Sequence, residues 1–109
     1  MGENVLLEGK LVRDRIPEII REDGLEPQVY VAETAEYRAR LHAKLSEEVL
    51  EVQEADATTA PEELADLLEV VYALAADYGI DHQQLEKIRQ DKANQRGGFA
   101  DRIVWTGNR

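Results

Sequence analysis

The sequence predicts an all-α protein: an antiparallel helical bundle, assembled as an oligomer, with a short extended C-terminal arm. Three observations predict it. Apolar residues recur at helical spacing along Leu41, Leu45, Val49 and Val52, the period of one helix face. Helix-start residues (Thr34, Thr59, Asp81) alternate with helix-stop glycines (Gly24, Gly79, Gly97) at helix-length intervals,. The connections are short, and short loops between long helices make neighbours antiparallel.

The first helix is expected from about Arg15 to Asp23, with Pro17 in its first turn and Gly24 as its stop. Residues 28–32 (Gln28 to Ala32) alternate weakly and read as extended. Thr34 is the expected N-cap of a long helix that runs to about Asp56. Thr59 and Glu62 form a capping box, with Pro61 in the first turn, for a helix that ends near Tyr78. Asp81 and Gln84 offer a second box, for a helix that reaches Arg96 before Gly97-Gly98. Ile103 to Trp105 is apolar and β-prone and forms the expected arm, with Phe99 and Trp105 as packing anchors.

A chain of 109 residues makes one domain, spanning residues 1–109. Such a chain buries roughly 65% of its unfolded surface, enough for one modest core. With no cysteine, neither a disulfide framework nor a thiolate nucleophile can form. Met1 to Lys10 shows no secretory pattern, and the apolar run from Leu64 to Ala76 is broken by Asp66 and Glu69, too short for a bilayer. The expectation is a cytoplasmic protein without a membrane partner. The formal net charge of -10 repels nucleic-acid polymers. It repels a nucleotide too, so any phosphate ligand needs cations between it and the protein.

The acids are patterned. Glu48 lies inside the apolar stripe of the Thr34–Asp56 helix, and Glu51, three residues on, lies at its edge. Burying an unpaired carboxylate costs several kcal/mol or forces a large pKa shift. The next helix is apolar almost all round (Leu64, Leu67, Leu68, Val70, Val71, Leu74), which suggests that a second subunit covers part of it. It carries Glu63 at the edge of its main stripe and Asp66 nearer its polar side. Two acid pairs facing each other across a short loop repel unless divalent ions lie between them. All-oxygen ligation favours magnesium, calcium or manganese over zinc, and magnesium leaves room for water and phosphate. A solvated acidic face, salt-bridged to Lys44 or Arg40, is the competing account. On residues alone the two stand level.

Glu47-Glu48-x-x-Glu51 followed by Glu63-Leu-Ala-Asp66 resembles the signature of the MazG-like and phosphoribosyl-ATP pyrophosphohydrolase-like superfamily. Lys10-Leu-Val-Arg-Asp-Arg-Ile-Pro-Glu-Ile-Ile20 resembles the opening segment of a small bacterial and phage branch, and Lys92-Ala-Asn-Gln-Arg96-Gly-Gly-Phe99 its closing segment. The resemblance implies an all-α fold, a homodimer or homotetramer, and bound Mg2+, with Mn2+ as a substitute. It implies hydrolysis of a nucleoside triphosphate between its α and β phosphates, giving monophosphate and pyrophosphate. It carries the metal ligands over to Glu48, Glu51, Glu63 and Asp66.

Under that reading Glu48 or Glu51 orients the attacking water, while Arg13, Lys92, Asn94 and Arg96 hold phosphate oxygens. Lys92 and Arg96 equally suit a cationic helix end that complements its own dipole. Neither His42 nor His82 is expected to ligate. Two other functions compete. One is hydrolysis of phosphoribosyl-ATP in histidine biosynthesis. The other is a non-enzymatic acidic module for oligomerisation or cation binding.

Overall fold

The computed structural model describes residues 9–109. Four helices follow in order: α1 (Ile16–Glu22), α2 (Thr34–Glu54), α3 (Ala60–Asp77) and α4 (His82–Arg96). No strand occurs among the described residues, so the fold is all-α. The chain divides into two compact units, one ending at Leu74 and the other running from Ala75 to Arg109. The N-terminal reading of residues 1–8 lies outside the described residues.

Local chemistry sets each boundary. Pro17 lies in the first turn of α1, where its missing N–H leaves no bond unmade. At its end Leu25 donates to the Ile20 carbonyl and Gly24 to that of Arg21, with Gly24 at φ 86°, a Schellman close. The end of α3 repeats the device: Ile80 donates to Ala75 and Gly79 to Ala76, with Gly79 at φ 82°. The expected Asp81–Gln84 box is formed in both directions.

Two caps differ from expectation. Glu33, not Thr34, caps α2, its side chain accepting from the Glu36 N–H; a carboxylate outcompetes a hydroxyl as acceptor at a helix N-terminus. The expected Thr59–Glu62 box gives way to one a turn earlier. Asp56 Oδ1 accepts from the N–H groups of Thr58 and Thr59, and Thr59 Oγ1 accepts from the Asp56 N–H. Those two N–H groups hold the Asp56 carboxyl below its usual pKa, and α2 accordingly stops at Glu54.

Among the described residues of the first unit, Leu41 is the one buried hydrophobe, at 3% exposure. It lies on α2 directly after a second buried anchor, Arg40. The Arg40 guanidinium donates to Glu36 Oε2 at 2.7 Å, to the Tyr30 hydroxyl at 3.1 Å and to the Gly9 carbonyl at 3.2 Å. Tyr30 also donates to Glu36. One buried cation thus ties both the 9–14 segment and the 28–32 segment to α2. Residues 28–32 form no strand, because side chains rather than a backbone ladder hold them.

The second unit contains α4 and the tail. Ile103–Trp105 forms no strand. Phe99 is 98% exposed and Trp105 77%, which corrects their assignment as packing anchors. A segment without backbone pairing has no scaffold that presses its side chains against a neighbour.

Replacing Asp81 with alanine removes the acceptor from the α4 cap and is expected to lower stability by about 1 kcal/mol. A urea titration by circular dichroism checks this; an unchanged midpoint would mean that the cap does not limit the cooperative unit.

Candidate metal and phosphate site

Glu48 is the most buried carboxylate of α2, 9% exposed. The helix period forces it there, since it shares a face with Leu41, Leu45 and Val52. Counted outward from the loop that joins α2 to α3, Glu51 and Glu63 each stand three residues inside their helices, and Glu48 and Asp66 each stand six. The charges couple in that pairing. After desolvation, the strongest influence raising the Glu48 pKa is Asp66. For Glu63 it is Glu51, again after desolvation.

One oxygen from each of Glu48, Glu63 and Asp66 lies within 4.8 Å of the others. Glu51 is not in that group; it is exposed at the edge, close enough to act on Glu63. The donors are all carboxylate oxygens, which suits a hard divalent cation that binds oxygens at roughly 2.0–2.6 Å. The raised pKa values of Glu48 and Glu63 agree with that fit: desolvation, and after it the neighbouring acids, disfavour their charged forms,.

Cations of the chain already lean on the group. Arg13 donates to Asp66 Oδ1 at 2.6 Å. Lys44 lies 4.0 Å from Glu48 and 3.3 Å from Glu47. The salt-bridged account therefore holds for Lys44, while Arg40 pairs with Glu36. A cleft of about 510 Å³ opens beside the acids, lined by Lys10, Arg13, Tyr37, Lys44, Glu48 and Asp66 among others. The sequence offered Lys44 and Arg40 alike only as salt-bridge partners of an acidic face, and the anchoring of Tyr30 and Gly9 by Arg40 was not foreseen. The Glu36/Arg40 and Lys44/Glu48 spacings of i, i+4 were the available signals.

Lys92, Asn94 and Arg96 belong to α4 in the second unit. Asn94 accepts from the Gln90 side chain at 3.0 Å. Lys92 and Arg96 are exposed, and Arg96 lies in the last turn, where its charge complements the helix dipole.

An all-α chain with an oxygen-only carboxylate group in a cleft that also holds Lys10, Arg13 and Lys44 fits the class of helical, metal-dependent phosphoanhydride hydrolases. The family described as phosphoribosyl-ATP pyrophosphohydrolase matches residues 14–93, and the chain belongs to that family, part of the MazG-like superfamily of all-α pyrophosphohydrolases. It is also 51% identical over 51 residues to an uncharacterized protein of Mycolicibacterium smegmatis, over 47% of this chain and 52% of that protein. The chain thus spans about half the length of the curated relative it matches. No solved structure matches the chain. No helix among the described residues is long and apolar enough to cross a membrane.

An acid whose pKa is raised on folding destabilises the fold once it ionises. For Glu48 the penalty is absent well below its ordinary 4.5 and grows as pH rises through that value to the raised one,. Glu48→Gln should therefore raise the metal-free melting temperature at pH 7, with the difference vanishing near about pH 4. Magnesium should stabilise the unaltered chain more than the variant. Thermal melts across that range, with and without the ion, decide it; a variant less stable at pH 7 would contradict the account.

Proposed function

We propose that this chain is a magnesium-dependent nucleotide pyrophosphohydrolase that cleaves a nucleoside triphosphate between its α and β phosphates. The observation that carries the reading is the convergence of the Glu48, Glu63 and Asp66 oxygens within 4.8 Å in a chain of this family. Glu48, Glu63 and Asp66, with Glu51 at the edge, hold the metal; manganese is the substitute. A divalent ion so held supplies charge neutralisation for the polyphosphate and the departing pyrophosphate.

The chain's own residues do the rest. Glu48 or Glu51 orients a water in line with the α-phosphorus and takes its proton, while the bond from that phosphorus to the bridging oxygen breaks. Pyrophosphate leaves with the bridging oxygen. Arg13 holds phosphate oxygens from the cleft, and Lys92, Asn94 and Arg96 are the further candidates on α4. The cytoplasm, where such nucleotides are made and used, is the proposed location.

Phosphoribosyl-ATP is the second substrate to test, because the matched family carries that description. It presents the same anhydride on a larger nucleotide.

The working state proposed is a homodimer or homotetramer. Its support is apolar surface with no cover in the chain: Leu50 on α2 and Leu64 and Leu68 on α3 are each about half exposed. Covering each contributes about 1 kcal/mol. Leu68→Glu should shift the sedimentation coefficient toward the monomer, and an unaltered oligomer would remove that face from the interface.

Purified protein with magnesium should release pyrophosphate from at least one member of a nucleotide panel that includes phosphoribosyl-ATP. Glu48→Gln should lower the rate at least about 100-fold while helicity is retained. Release from no nucleotide would overturn the reading. Loss of metal affinity alone, with no activity to lose, would leave an acidic cation-binding module.

A further inference from the structure

Three carboxylates converge, and two basic side chains of the same chain are in place around them. Arg13 touches Asp66 at 2.6 Å and Lys44 stands 4.0 Å from Glu48. Both also line the cleft beside the acids. Their combined charge equals that of a single divalent ion. One ion can therefore replace both without altering the net charge of the group. Both side chains are long and unbranched at the base, so each can leave the acid and stay in the cleft.

We propose that Arg13 and Lys44 are internal counter-ions of the carboxylate group, exchanged for a divalent ion on loading and thereby turned to the polyphosphate of the substrate. The inference rests on the proposed pyrophosphohydrolase reading and deepens it by assigning Lys44 a role and giving Arg13 a second one. The exchange orders binding. Before the metal arrives, the basic groups are engaged with acids and the cleft offers little to an anion. After it arrives, two cations face the cleft, and a guanidinium can grip phosphate oxygens bidentately.

The 9–13 segment is built for such a move. Its Gly9 end is fixed, the carbonyl accepting from buried Arg40 at 3.2 Å. Its Arg13 end is fixed as well, the carbonyl accepting from the Ile16 N–H at 3.0 Å, while the Arg13 side chain is held by an ion pair whose two members are about half exposed, and exposed pairs are weak. With the backbone fixed at both ends, the guanidinium can swing without releasing the segment.

Two measurements on the full chain test it, and neither requires turnover. Mn2+ affinity is read by calorimetry or electron paramagnetic resonance. Arg13→Gln removes an internal competitor and should tighten Mn2+ binding roughly two- to fivefold. Lys44→Met should act in the same direction and less, because Lys44 is shared with Glu47. Arg21→Gln, which makes the same charge change away from the acids, should leave the affinity within about 1.5-fold. In the presence of Mn2+, inorganic pyrophosphate should bind Arg13→Gln about tenfold more weakly or worse. A residue that merely braces the fold would weaken both affinities together.

If Arg13→Gln does not fold, the unaltered chain still decides the matter. The Arg13 Nε–Hε resonance should shift on saturation with Mg2+ and shift again with pyrophosphate. An Arg13 resonance unmoved by the metal, an Arg13→Gln affinity for Mn2+ equal to or weaker than that of the unaltered chain, or failure to bind any divalent ion would each overturn the exchange. Nucleotide hydrolysis without the exchange would remove this inference alone. Exchange without hydrolysis of any nucleotide would remove the functional reading and leave the exchange standing.

Discussion

Repulsion among the Glu48, Glu63 and Asp66 carboxylates is the constraint on which the site depends. No fold gathers three like charges within 4.8 Å for stability's sake, since each raises the ionisation cost of the others. Here the cost is met locally by Arg13 and Lys44, while desolvation first and the neighbouring acids second raise the pKa values of Glu48 and Glu63. The helices set the positions. A loop of five residues, locked by the reciprocal Asp56–Thr59 bonds, spaces both acid pairs evenly from the turn.

The same constraint reconciles an acidic protein with an anionic ligand. At a net charge of -10 the chain's long-range field opposes the approach of a polyphosphate. Local charge softens that field over one patch, where Lys10, Arg13 and Lys44 line the same cleft as Asp14, Glu48, Asp66 and Glu69. Screening over roughly 8–10 Å at physiological ionic strength lets the patch act almost independently of the rest of the surface.

Much of this was legible in sequence because it is periodic and local. The helix count, the glycine stops and the Asp81 cap follow from spacings of a few residues. Glu48 was legible as well, because a carboxylate on an apolar stripe has few explanations. Asp66 was less so. Its position on the wheel points toward the polar side of α3, and only the facing helix decides which side meets Glu48. Arg13 reaches Asp66 across a separation of 53 residues, which no local pattern encodes. The Asp56 box was missed for a different reason. Asp56 and Thr59 both favour caps, and whether the Thr59 hydroxyl accepts from the Glu62 N–H or, as here, from the Asp56 N–H is settled by backbone geometry at the turn.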